Sequence, residues 1–370
     1  MNTLREQANP WIGKLPIYEP GKPIEEVARE LGFASESEID KLASNENALG
    51  PSPRAVEAMA AAAVQMHRYP DGGSYFLRQV LAGKLGVSPD QILPTHGSNE
   101  ALELLGHVFL GPETGIVMAA QAFVVYRLIA AAARASVVAV PMRDMTHDLD
   151  AMLAAIRPET RIVFVSNPNN PTSTIVAPAA LDRFMDRVPA HVVVCFDEAY
   201  IELLPPDQQP DTLRYVREDR NVYILRTFSK TYGLAGLRLG YAVAPASGIE
   251  LLQHVRQPFN VNALALAACT AALDDDAFVE KTRILVRDGI RYLEAQCRRL
   301  KLDYVPASAN FILIKVGKGR PVFEALMGEG VIVRPMDGYG LPDWVRVTVG
   351  TTEENRRFVR ALETVLGRGV

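Results

Sequence analysis

The chain has 370 residues, 48% of them apolar and 22% charged, enough to bury a sizeable core and to form two domains of ordinary size. Its formal net charge of −4, with no basic block, argues against nucleic acid or an anionic membrane as a partner. Three widely spaced cysteines, Cys195, Cys269 and Cys297, argue against a disulfide framework, and neither they nor the histidines show zinc spacing, so no metal is expected.

The N-terminal stretch "MNTLREQANPWIGKLPIYEPGKP" lacks the apolar core and cleavage site of a secretory signal, and no apolar run is long enough to span a membrane. A cytoplasmic location is expected. Residues 1 to 24 read as an extended arm in which Pro10, Pro16, Pro20 and Pro23 prevent a helix. The arm is either a disordered tail or a strap over a cleft or partner subunit, with Trp11, Ile12, Leu15, Ile17 and Tyr18 to bury.

"PIEEVARELG" predicts a short helix ending at Gly32, "IDKLASNENALGPSP" a short strand entering a polar loop, and "PRAVEAMAAAAVQMHRYP" a helix stopped by Pro70. From residue 79 helices and strands alternate. The strands "QIL", "GIVMAA", "SVVAVPM", "RIVFV", "HVVVCF" and "NVYIL" are short apolar runs suited to burial on both faces. Such alternation predicts an α/β fold with a mostly parallel sheet between helices. From about residue 261 the pattern changes. The helices "NALALAACTAAL" and "DAFVEKTRILVRDGIRYLEAQCRRL" precede strands "NFILIKV", "VIVRPM" and "WVRVTVG" and a last helix, "TEENRRFVRALETVLG". The expected division is an arm and short helix over 1–40, a large domain over 41–260 and a smaller α+β domain over 261–370.

Ligands of an open parallel sheet bind beyond the carboxyl ends of its strands. After "QIL" come Gly97, a tight turn, Ser98 as the N-cap, and a helix whose free N–H groups suit a phosphate. After "RIVFV" comes the rigid loop "SNPNNPTS", with Asn167, Asn169 and Asn170. After "HVVVCF" comes Asp197, expensive to bury unless it meets a cation. After "NVYIL" come Thr227, Ser229 and Lys230, then Arg238. Each has a bland reading as a cap, a turn or a surface ion pair. Together they match the needs of pyridoxal 5′-phosphate: a lysine for its aldehyde, a carboxylate for its pyridine nitrogen and donors for its phosphate.

"SNPNNPT", "DEAY" and "TFSKTYGLAGLR" resemble the class I/II pyridoxal-phosphate-dependent aminotransferases of fold type I, which have an aspartate-aminotransferase-like large domain. "YEPGKP", "LASNENALGPSP", "HRYPDG" and "GVIVRPMDGYGLPDWVRVTVGT" extend the resemblance over nearly the whole chain, most of all to histidinol-phosphate aminotransferases. The resemblance implies that Lys230 forms the Schiff base and transfers the proton, that Asp197 pairs with the pyridinium nitrogen, and that Tyr200 and Asn170 bond the phenolate oxygen. Phe123 would stack on the ring without the hydroxyl of a tyrosine. Ser98, Asn99, Thr227, Ser229 and Arg238 would hold the phosphate, and Tyr69 would reach it from the other subunit of a homodimer. Arg346, helped by Arg334 and Tyr18, would bind the substrate's anionic group, and Asn47 would line the pocket. The implied reaction converts histidinol phosphate and 2-oxoglutarate to imidazole acetol phosphate and glutamate, in histidine biosynthesis. An aromatic amino acid aminotransferase and a phospho-amino-acid decarboxylase are the alternatives. One departure is Ser173, where the family's "NPTG" has glycine, a residue that permits positive φ.

Overall fold

Strands of valine and isoleucine pack well on a pleated surface, and alternate residues face opposite sides. The computed structural model, which describes residues 3–15, 17 and 21–369, shows both faces covered. Val163 and Val165 belong to one buried cluster with Val194, Phe196 and Ile224. Ile162 and Phe164 belong to another, with Cys195, Tyr223 and Leu225.

The strands in chain order are β1 (Asp40–Lys41), β2 (Ile92–Thr95), β3 (Gly115–Ala119), β4 (Ser136–Val140), β5 (Thr160–Ser166), β6 (Val193–Asp197), β7 (Val222–Thr227), β8 (Gly240–Val243), β9 (Tyr304–Val305), β10 (Phe311–Lys315), β11 (Val331–Ile332), β12 (Arg334–Pro335) and β13 (Trp344–Thr348). Among the described residues β2 to β8 form a seven-stranded sheet in the order β2-β8-β7-β6-β5-β3-β4. Strands β3 to β7 are mutually parallel. Strand β8 lies antiparallel between β2 and β7. This is the mostly parallel sheet expected, with one strand the sequence pattern did not reveal. "GYAV" is only four residues long and sits between glycines and prolines, so it carries little periodic signal. The helix Ala246–Val255 that follows it was likewise not anticipated.

The smaller sheet is antiparallel, in the order β12-β13-β10-β9. Its core includes Ile312, Ile314, Val345 and Val347 from the sheet and Leu293 and Leu362 from the long helices Asp276–Leu300 and Thr352–Gly367. Strand β1 pairs in parallel with β11, which ties the N-terminal segment to the C-terminal part of the chain.

The expectation of a helix-free arm is corrected. Leu4–Gln7 forms one α-helical turn and Ile12–Lys14 a 3₁₀ turn. The first precedes Pro10 and the second lies between Pro10 and Pro16, and a proline restricts only itself and the residue before it. Tyr18 lies outside the described residues.

Candidate active site

The carboxyl ends of β5, β6 and β7 and the turn after β2 open onto one cavity of about 410 Å³. Twelve of the expected residues line it: Ser98, Asn99, Phe123, Asn170, Asp197, Tyr200, Thr227, Ser229, Lys230, Arg238, Arg334 and Arg346. All but Arg334 and Arg346, which come from β12 and β13 of the smaller sheet, arrive there because parallel strands deliver their following loops to the same sheet edge.

Ser98 and Asn99 sit in the first turn of the helix Gly97–Phe109. The N-cap is His96, so Ser98 is not the cap expected of it. The turn is built around two missing side chains. A Cβ on Gly97, whose φ is +70°, would come within 2.7 Å of Arg238 Nη2, and one on Gly240 within 2.5 Å of the Ser98 backbone nitrogen. Glycine at both places lets the helix N-terminus, the Arg238 guanidinium and strand β8 crowd together. Beside them Thr227 Oγ1 donates to Ser229 Oγ at 3.0 Å. The result is a cradle of N–H, O–H and guanidinium groups at a helix N-terminus, a setting suited to an anion.

Asp197 ends β6 and is 4% exposed. Its carboxylate accepts from Tyr126 Oη at 2.6 Å and from the Ala199 backbone at 3.3 Å. Among the described residues no lysine, arginine or histidine pairs with it, and burial pushes its pKa up to about 6. Lys230 Nζ donates to the Ser44 carbonyl at 3.0 Å. Burial, and then the nearby Arg346 charge, hold its pKa down at about 8. Glu198, next to Asp197, has a different task. It takes Arg226 Nη2 at 2.8 Å and Thr212 Oγ1 at 2.5 Å, a buried pair that ties the ends of β6 and β7 together.

Tyr200 is buried under Phe311, ring centroids 5.2 Å apart, and burial raises its phenol to about 12. Arg346 on β13 donates to Asn170 Oδ1 at 2.5 Å and to the Ala43 carbonyl at 2.7 Å. The β12–β13 register sets Arg334 directly opposite Arg346. Like charges across a strand pair repel, so this arrangement is stable only with anionic or polar company.

Two expected residues do not reach this cavity. Asn47 donates instead to the Thr231 carbonyl and Thr282 Oγ1, both at 3.0 Å, and accepts from the Leu49 backbone. It anchors the loop, and Ser44, Asn45 and Glu46 of the same segment line the cavity in its place. Tyr69 is 83% exposed and stacks on Phe259 at 4.7 Å. Ser173 does adopt a positive φ of 63°, and its hydroxyl accepts from the Ser308 and Ala309 backbones at 3.1 and 2.8 Å. That pair of bonds offsets the cost of a side chain in the left-handed region. Sequence reasoning also missed Tyr126 and Tyr339. Tyr126 sits in the apolar helical run "VYRLIAAA", where only the need of a buried phenol for a partner marks it.

Among the described residues no helix is long and apolar enough to cross a membrane, and no cluster of side chains could hold a metal ion. The family model "Aminotransferase class I and II" matches residues 37–362. The chain is 49% identical over 360 residues to a histidinol-phosphate aminotransferase of Akkermansia muciniphila, covering 97% of this chain and 98% of that one. It is 50% identical over 360 residues to histidinol-phosphate aminotransferase 1 of Cupriavidus pinatubonensis, covering 96% of each. The fold superimposes with a TM-score of 0.89 on the crystal structure of histidinol-phosphate aminotransferase from Sinorhizobium meliloti in complex with pyridoxal-5′-phosphate, at 26% identity and 98% coverage of both chains. A Thermus thermophilus aspartate aminotransferase mutant, 24% identical and covering 95% of this chain and 97% of that one, shares the fold at a TM-score of 0.80. With the motifs, the sheet and the cavity in agreement, this chain belongs to the class I and II aminotransferases.

Proposed function

We propose that this aminotransferase uses pyridoxal 5′-phosphate to move the amino group of histidinol phosphate to 2-oxoglutarate. One observation carries the reading: a half-buried lysine and a buried carboxylate line one cavity, each bonded to another partner, beside an anion cradle. An amine and a carboxylate presented to the same cavity suit a ligand that carries an aldehyde and a basic ring nitrogen. The donor set fits the cofactor, because the cradle that Gly97 and Gly240 leave open is lined by hydroxyls and a guanidinium.

When bound, the cofactor supplies an electron sink for breaking the Cα–H bond of the amino substrate. The chain does the rest. Lys230 would hold the cofactor covalently through Nζ, and with its pKa near 8 that amine would carry a proton to and from the substrate carbon. Asp197 would keep a proton on the ring nitrogen, Tyr200 and Asn170 would bond the ring oxygen, and Phe123 would cover the ring face. Ser98, Asn99, Thr227, Ser229 and Arg238 would grip the phosphate. Arg346 and Arg334, set opposite each other on β13 and β12 and lining the cavity, would meet the substrate's anionic group.

The same reading makes the protein a homodimer, with Tyr69 serving the second subunit's site. The exposed aromatics Tyr69, Tyr75, Phe76 and Phe259 support it, since so much exposed aromatic surface marks an interface. Sedimentation at micromolar concentration tests this, and a monomer would refute it.

The substrate is tested by a transamination panel of histidinol phosphate, phenylalanine and tyrosine, each against 2-oxoglutarate. Histidinol phosphate is expected to give the highest kcat/KM, and a preference for phenylalanine or tyrosine would overturn the assignment. Lys230→Ala should lose both turnover and the visible absorption band of the loaded protein. A retained band would remove Lys230 from its role.

A further inference from the structure

We propose that Asn45 is a positioning residue that fixes the direction of the Tyr200 hydroxyl proton, pointing it into the cavity. The inference rests on the cofactor reading above. Asn45 is 1% exposed and lines the cavity, and its Nδ2 donates to Tyr200 Oη at 2.9 Å. A phenol has one proton and can accept as well as donate. Once its oxygen accepts from Asn45, that proton is free for a group in the cavity, which is where the cofactor's ring oxygen would lie.

The amide orientation follows from its neighbours. The Asn45 backbone N–H donates to Thr348 Oγ1 at 2.9 Å. Thr348 Oγ1 returns its own proton to Asn45 Oδ1 at 3.3 Å. Turned the other way, the amide would present a second N–H to the threonine oxygen, leave the threonine proton without this acceptor and take the tyrosine proton for itself. The backbone is held too. Asn310 Nδ2 donates to the Asn45 carbonyl at 3.0 Å, and φ at Asn45 is +55°, a region asparagine tolerates better than most residues. Thr348, Asn310 and Tyr200 are all buried, so water cannot readily replace any of these partners. The Tyr200 phenol, raised to about 12 by burial, keeps its proton throughout the working range and remains a donor.

Thr348 lies on β13, two residues beyond Arg346. The ring of bonds therefore ties the tyrosine that would face the cofactor to the strand that carries the substrate-binding arginine.

The test is the pH midpoint of the visible absorption band in the cofactor-loaded protein, for wild type, Asn45→Asp, Tyr200→Phe and the double variant. Aspartate has the same shape, tolerates the same backbone and still accepts from Thr348. It offers Tyr200 an acceptor in place of a donor, so the phenol proton turns away from the cavity. Asn45→Asp is expected to raise the midpoint by about one pH unit, as Tyr200→Phe does, because a hydrogen bond to the charged form is lost. In the Tyr200→Phe background Asn45→Asp should shift the midpoint clearly less, by only what the added carboxylate charge contributes. Should Asn45→Asp fail to fold, Thr348→Val reads the same point. It removes the hydroxyl that orients the amide and should raise the midpoint by less, with no effect in the Tyr200→Phe background. An unmoved midpoint, or an Asn45→Asp shift as large without the Tyr200 hydroxyl as with it, would overturn the inference. A wild-type protein that develops no visible band would instead overturn the cofactor reading.

Discussion

The cavity is walled by two groups of residues assembled in different ways. In the anion cradle Thr227, Ser229, Lys230 and Arg238 come from one stretch of chain, joined only by the turn after β2. The arginine pair is a long-range construction. Arg334 and Arg346 meet through the β12–β13 register, and Arg346 is held by Asn170 after β5 and Ala43 after β1. A contiguous site needs only correct local turns, whereas the arginine pair depends on several segments docking at once. Damage to the cradle should therefore stay local, while damage to the arginine pair should also loosen the contact between the smaller sheet and the larger one.

Asp197→Asn tests the ring-facing wall between the two groups. It keeps the shape but would leave the proposed cofactor's ring nitrogen without a carboxylate, and kcat/KM should fall by an amount equivalent to roughly 3–5 kcal/mol in steady-state assays. An unchanged value would remove Asp197 from the reacting centre. Arg346→Ala should raise KM for histidinol phosphate and glutamate by about 2–5 kcal/mol. Arg346→Lys should not restore it, because an ammonium cannot make the fork-shaped contact with an anion while bonding Asn170 and Ala43.

Lys230 gives a prediction for the cofactor-free protein. Its pKa falls from 10.5 unfolded to about 8 folded, so between those values the unfolded chain binds more protons and stability rises with pH. The partly desolvated ammonium thus costs stability at neutral pH, by at most about 3 kcal/mol. Lys230→Met should melt higher than wild type there, and the gap should close as pH climbs from about 8 to 10.5. A gap that does not change with pH would mean the lysine is not desolvated.

Gly97→Ala probes the cradle. A methyl group 2.7 Å from Arg238 Nη2, at a φ of +70°, should cost about 1–2 kcal/mol and speed cofactor loss on dialysis. Retention equal to wild type would show that the cradle does not depend on this close approach. The smallest effect belongs to Ser173→Gly, which loses two accepted hydrogen bonds but gains backbone freedom at φ 63°. Those terms nearly cancel, leaving a change of about 0.5 kcal/mol in denaturant unfolding.

The cradle was legible because its parts follow buried strands directly, so a hydroxyl, lysine or aspartate at the end of an apolar run already announces the sheet edge. Asn47 was misplaced because the choice between it and Asn45 turns on which amide meets Thr231 and Thr282 and which meets Tyr200 and Thr348. Those partners lie far away in the chain, and spacing says nothing about them. Tyr126 was missed for a related reason: at helical spacing it looks like core, and its bond to Asp197 shows only once the helix is packed on the sheet.

The amino-acid sequence by itself determined the alternation of helix and strand, the double-sided burial of the sheet and the residues placed at its carboxyl edge. These follow from hydrophobic periodicity and from polar residues ending apolar runs, both local properties. Only the tertiary structure decided that β8 enters antiparallel and brings Gly240 against the Ser98 backbone, that Arg334 faces Arg346, and that Asn45 meets Tyr200. Each is a matter of register or of partner choice across long stretches of chain, settled by how the elements pack together.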